Sequence, residues 1–271
     1  MKPDQALKHG ILLVAAFLAL SPTAFMILTS LKGQDEYTFN KVGLPQTVVF
    51  DHFESILFES PFFTWMGNSI ILATGAVILS TAVSCLGAYA IALMRFRGRT
   101  FLFSVSTALM AVPPVVMIVP LFVLYTQLDL ISTFRGTIVI YAGLITPFSV
   151  YLLTTFFRTL PKELFESARM DGAGELFILW KIVIPLALPA LLTLVVVNAL
   201  YVWNDLIIAI IFLQDDAKRT LMAGISVFQG RYEQMIPLTM AGMVIASAPM
   251  VILYILFQKY FIQGLMAGAI K

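Results

Sequence analysis

Glu166-Ser167-Ala168-Arg169-Met170-Asp171-Gly172-Ala173-Gly174 is the stretch on which the reading of this chain turns. It lies in a polar island, residues 158–181, between two apolar segments that each exceed the ~20 residues needed to cross a bilayer. The island reads as a short helix, a tight turn and a second helix. Pro161 suits a first helical turn, Glu163 and Glu166 favour the positive end of a helix, and Gly172 can take the left-handed conformation that closes one. Leu164, Phe165 and Ala168 share one face at helical spacing, whereas Glu163, Glu166 and Arg169 lie largely elsewhere on the wheel. This pattern makes a short amphipathic helix at a membrane surface, where something outside the membrane can read it.

Composition agrees. The chain is 60% hydrophobic and only 12% charged, with a mean hydropathy of +0.94, far outside the range of ordinary soluble domains. The single cysteine, Cys85, rules out an internal disulfide framework, and its place in an apolar run makes it a small core residue. The net charge of +2 carries no contiguous basic patch, so nucleic acid is not an expected partner.

In chain order, an apolar run from Gly10 to about Leu31 reads as a retained first span rather than a cleaved signal, because no small-x-small cleavage site follows it. A polar external loop extends to about Thr64. The second span, about Met66 to Met94, carries Gly67, Gly75, Ser80, Ser84, Gly87 and Ala88, small residues suited to close helix packing. Arg95, Arg97 and Arg99 stop it. The third span, about Phe101 to Tyr125, holds Pro113-Pro114 and Pro120, which break or kink it. The fourth, about Gly136 to Phe157, has Pro147 near its middle. The apolar run from Ile182 to Leu213 is too long for one upright span at about 1.5 Å per residue, so its first part, with Pro185 and Pro189, is expected at the interface. Residues 214–235 read as a polar connection, and the sixth span runs from about Ile236 to Phe261.

Charge sets the orientation. Eleven basic residues fall in the segments that become cytoplasmic if the amino terminus is inside and six in the opposite ones, which accounts for all 17. Both termini and the loop at 158–181 are therefore expected in the cytoplasm. No phosphate-binding Gly-x-x-x-x-Gly-Lys-Ser/Thr loop occurs, so energy for uphill transport must come from a partner, and an amphipathic helix between spans is a natural docking element.

At this point a resemblance enters. Glu166-Ser167-Ala168-x-x-Asp171-Gly172-Ala173, followed by Ile184-Pro185-Leu186 and Pro189, resembles the "EAA" loop of ABC importer permeases, with Ser167 in place of the first Ala. Trp203-Asn204-Asp205 and the ending Gln263-Gly264-Leu265-x-Ala267-Gly268-Ala269-x-Lys271 look like the smaller, six-span permease of the maltose-type carbohydrate-uptake family. The resemblance implies an all-α integral membrane protein with six transmembrane helices, the type I importer (MetI-like) fold and cytoplasmic termini. It divides the chain into a first span with its external loop (residues 1–65), a permease core (66–261) and a cytoplasmic tail (262–271).

In function it implies a non-catalytic permease subunit of a binding-protein-dependent sugar importer, in the cell membrane of a prokaryote. Its partners would be a sister permease in a heterodimer, a pair of ABC ATPase subunits, an extracytoplasmic solute-binding protein, a di- or oligosaccharide and the lipid bilayer. No cofactor would be bound by this chain; ATP and Mg would belong to the ATPases. Glu166, Ala168, Asp171, Gly172 and Ala173 are assigned by resemblance to the ATPase contact, and Gly264, Gly268 and Lys271 to a tail contact with the ATPases. Phe228, Gln229 and Tyr232 are assigned to the binding-protein side. Tyr201, Trp203, Asn204 and Asp205 are candidates for the translocation pathway, Asp205 being an acid embedded in an apolar run that needs a partner or water. A structural hydrogen bond explains Asp205 equally well.

A same-fold permease for glycerol phosphate or a polyol shares all these features. A membrane enzyme would need convergent ionisable groups, but Asp205 stands alone in its run and His9 and His52 form no metal cluster. A channel or secondary transporter would not need the loop, and no convincing inverted repeat supports one.

Overall fold

The computed structural model of the protein describes residues 3–231 and 235–269, and among them the regular structure is entirely helical. The elements that carry the architecture are α1 (Pro3–Ser30), α2 (Phe62–Leu93), α3 (Arg99–Leu109), α4 (Pro114–Gln127), α5 (Phe134–Phe157), α6 (Lys162–Met170), α7 (Glu175–Leu186), α8 (Leu188–Asn204), α9 (Ile207–Phe212), α10 (Leu221–Arg231) and α11 (Ile236–Ala269). Stretches within α1, α2, α5 and α11 are each long and apolar enough to cross a membrane, and the bent pairs α3/α4 and α7/α8 raise the total to six if each pair is one span.

Two of the breaks fall at prolines, although Pro22, Pro120, Pro147 and Pro249 lie inside continuous helices. Pro113 and Pro114 lie at the joint of α3 and α4, which bend by 99°. α7 and α8 bend by 79° at Ala187, between Pro185 and Pro189. A proline in a helix interior removes one hydrogen bond and crowds the carbonyl a turn earlier, and paired prolines at or flanking these two joints favour the bends.

The chain packs as two units, Met1–Trp65 with Leu221–Pro249 and Met66–Thr220 with Met250–Lys271. In the first, Lys32 is 1% exposed and its Nζ donates to the carbonyl oxygens of Asn40 (2.7 Å) and Lys41 (3.4 Å), an ammonium used as a staple for the loop after α1. Residues 221–231, read from the sequence as part of a polar connection, form a helix whose Leu221, Ala223 and Ile225 are buried.

In the second unit, α2, α5 and α8 share two apolar layers. One joins Cys85, Ala88, Tyr89, Leu153, Phe157 and Leu194. The other joins Ala76, Val77, Ile140, Tyr141, Ala199 and Val202. Between the layers sits a polar rung. Ser80 Oγ meets Thr146 Oγ1 at 3.0 Å and Ser149 Oγ at 3.4 Å, and Asn198 Nδ2 donates to Ser149 Oγ at 2.9 Å. In hydrocarbon such groups must satisfy one another, so the rung fixes the register of three helices more than it adds stability; intramembrane bonds of this kind average about 0.6 kcal/mol. Of the small residues read from α2, Ser80, Ser84 and Ala88 are fully buried, whereas Gly67, Gly75 and Gly87 are half-buried.

Candidate functional site

The loop between α5 and α8 is built from local rules upward. Pro161 precedes α6, which ends at Met170 with Asp171 as its cap and Gly172 at φ 83°, the left-handed region that favours glycine. The amide of Ala173 donates to Ala168 O at 2.9 Å and that of Gly172 to Arg169 O at 3.0 Å, closing the turn on the end of the helix. Gly174 then caps α7.

One face of α6 is anchored and the other is free. Phe165, 2% exposed, inserts among Tyr89, Phe157, Ile178 and Leu179, with Ala168 and Ala173 packed against the same cluster. Leu164, which the helical wheel places on this face, remains exposed. On the outer face Glu163, Glu166, Ser167 and Asp171 are exposed, and Met170 stands 88% exposed. Of the five residues assigned to the ATPase contact, Glu166, Asp171 and Gly172 therefore lie on the accessible surface, while Ala168 and Ala173 seat the helix.

Three residues that sequence reasoning left without a role hold this loop in place. Glu175 Oε1 accepts from Arg169 Nε at 2.8 Å and Oε2 from Nη2 at 3.1 Å, and Oε2 also accepts from the Tyr89 hydroxyl. One carboxylate thus joins the last turn of α6, the first turn of α7 and the final turns of α2. The Arg169 guanidinium, and after it the Tyr89 hydroxyl, hold the Glu175 carboxyl below the usual carboxylate range, so it stays charged at neutral pH. Beside this brace a cleft of about 530 Å3 is lined by Arg95, Arg99, Lys162, Glu166, Arg169 and Glu175. At the entrance of the loop, the Arg158 guanidinium sits 4.6 Å over the Phe103 ring, which stacks on Tyr151.

The pathway candidates do not form one cluster. Tyr201 and Asn204 are exposed, with Asn204 Nδ2 donating back to Leu200 O at 2.9 Å. Trp203 is 3% exposed, inside the packing. Asp205 lies in the gap between α8 and α9 rather than within a continuous span. Its Oδ1 accepts from the Tyr141 hydroxyl at 2.9 Å and from the amides of Ile208 (3.0 Å) and Ala209 (3.3 Å). Phe228 and Gln229 fall on α10, Tyr232 lies outside the described residues, Gly264 and Gly268 lie on the last turns of α11, and Lys271 is outside the described residues. Among the described residues no group of three or more His, Cys, Asp or Glu could hold a metal ion.

The fold and the loop define a multi-pass helical membrane protein with a braced, polar-faced helix between two spans. The chain belongs to the family described as binding-protein-dependent transport system inner membrane component, whose model matches residues 80–266. It is 36% identical over 261 residues to a putative ABC transporter permease protein from a Caldicellulosiruptor strain, covering 96% of this chain and 94% of that one. It is 34% identical over 260 residues to an arabinooligosaccharides transport system permease protein of Halalkalibacterium halodurans, covering 94% and 92%. Among solved structures, it superposes on a chain of a bacterial ABC transporter involved in the import of the acidic polysaccharide alginate with a TM-score of 0.81 and 28% identity, covering 96% of this chain and 98% of that one. The family is the one to which the loop and tail motifs pointed.

Proposed function

We propose that this chain is the membrane-spanning permease subunit of an ATP-driven, binding-protein-dependent importer of sugars, of di- or oligosaccharide size, in a prokaryotic cell membrane. The observation that carries this reading is the loop helix α6, gripped from inside by Phe165 and presenting Glu166, Asp171 and an 88% exposed Met170 outward. Met170 and the half-exposed Leu164 add apolar surface beside the Glu166 and Asp171 carboxylates, the mixed face a docking partner would cover. The sugar class rests on the relatives, which are named for arabinooligosaccharides and alginate.

In this reading the loop faces the cytoplasm and seats in a groove of an ABC ATPase, one of a pair that binds ATP and Mg; this chain binds no cofactor and performs no covalent chemistry. A sister permease completes the pathway, and a solute-binding protein docks on the other face of the membrane, with Phe228, Gln229 and Tyr232 as its assigned contacts. Closure of the ATPases on ATP moves the loop helices, and the spans attached to them pass between inward-facing and outward-facing arrangements, each ligand stabilising the state it binds better. Tyr201 and Asn204 are the exposed candidates for the pathway wall; Asp205 holds the helix break beside them. The tail contact with the ATPases is assigned to Gly264, Gly268 and Lys271.

Purification of the chain from its native membrane in mild detergent, followed by mass spectrometry, tests the assembly. A P-loop ATPase and a second permease should be recovered with it. Recovery of the chain alone, still competent for transport without ATP, would overturn the reading.

A further inference from the structure

Glu175 connects three elements, of which α2 has no short covalent connection to the other two. Arg169 is in the last turn of α6, Glu175 opens α7, and Tyr89 lies near the end of α2 at 4% exposure. The Arg169 fork and the Tyr89 hydroxyl converge on the same carboxylate from two sides, Arg169 from the loop and Tyr89 from a span 86 residues away in sequence. Phe165 is buried in the same apolar cluster as Tyr89.

A push on the outer face of α6 has two routes into the membrane. The backbone turn at Gly172 leads to α7 and α8. The brace leads to α2, to which α6 has no short covalent connection. Apolar contact alone resists compression but slides under shear; the bidentate Arg169–Glu175 pair fixes the carboxylate to α6, and the Tyr89 hydroxyl's single bond to that charged carboxylate ties α2 to it.

Resting on the coupling reading given above, we propose that Tyr89, Glu175 and Arg169 are positioning residues that transmit the movement of the loop helix to the second span. Tyr89 is buried beneath the loop, while Arg169 and Glu175 are partly exposed and line the cleft beside Glu166, their charged groups engaged with one another. Their loss leaves the ATPase docked but its cycle disconnected from α2.

The test uses the complete importer, with its ATPases and sister permease, reconstituted into lipid vesicles. The quantity read is the ratio of ATP hydrolysis with the cognate solute-binding protein to that without it. Tyr89→Phe removes one hydroxyl and keeps the ring in the core. It is expected to lower the stimulation ratio about 3- to 10-fold, the range of a typical coupling energy, with subunit stoichiometry and melting temperature unchanged. Glu175→Gln should do the same. The double variant should be no worse than Glu175→Gln alone, because loss of the carboxylate already disrupts the bond that Tyr89→Phe removes, together with the Arg169 fork. Should Tyr89→Phe prevent assembly, Arg169→Lys decides: its side chain is partly exposed, and loss of the fork should lower the ratio in the same direction.

An unchanged ratio in these variants, or additive losses in the double variant, would overturn the brace. A wild-type preparation with no ATPase bound would instead overturn the coupling reading on which it rests.

Discussion

Asp205 carries an acid into an apolar run by making it the end of one helix and the cap of the next. Its Oδ1 satisfies two amides of α9 and the Tyr141 hydroxyl. Removing that acceptor leaves three donors short of a partner, at roughly 1–3 kcal/mol. Asp205→Ala is therefore expected to lower the melting temperature in detergent, Asp205→Asn to lower it less because an acceptor oxygen remains, and Tyr141→Phe to add little once Asp205 is gone. Equal losses from the Ala and Asn variants would contradict the capping role. The sequence marked Asp205 as needing a partner, but the helix break was not legible, since no glycine or proline stands at 205 or 206. The adjacent Asn204-Asp205 pair, both helix-capping residue types, was the available signal. Glu175 was harder still: locally it is an ordinary first-turn acid, and only the fold brings Tyr89 to it.

At the scale of elements, the loop was legible because its rules are local. The proline before α6, the apolar face ending in Phe165 and the glycine after Asp171 all act within a few residues, and Gly172 indeed takes φ 83°. A Cβ added to Gly172 would meet nothing within 4 Å, so substitution there costs backbone strain rather than collision. Asparagine, which tolerates the left-handed region, should preserve uptake. Valine, at about 1–2 kcal/mol of strain, should displace the turn and lose the ATPase or uncouple uptake, while membrane insertion is retained. Uptake assays on cells bearing each variant check this, and normal uptake with valine would contradict it. The bends at Pro113 and around Ala187 followed from their prolines. The helix at 221–231 did not, because its buried face is only a few apolar residues set between Lys218, Arg219 and Arg231.

At the scale of the whole molecule, hydropathy alone places the chain in the membrane, and the two apolar layers on α2, α5 and α8 follow from spans whose small residues let helices approach. Sidedness rests on the excess of lysine and arginine in one set of loops, and with it the claim that α6 faces an ATPase. Cys85 is buried and is the chain's only cysteine, so a single engineered thiol on α6 reports by itself. The decisive measurement places that thiol at the exposed Ser167. Ser167→Cys is treated with a membrane-impermeant maleimide in intact cells and in inside-out vesicles, and then with a short bifunctional cross-linker. The expected result is labelling only in inside-out vesicles, increased by stripping the ATPase, and a cross-link to a P-loop ATPase. Labelling in intact cells, or no cross-link while an ATPase is present in the complex, would contradict the account.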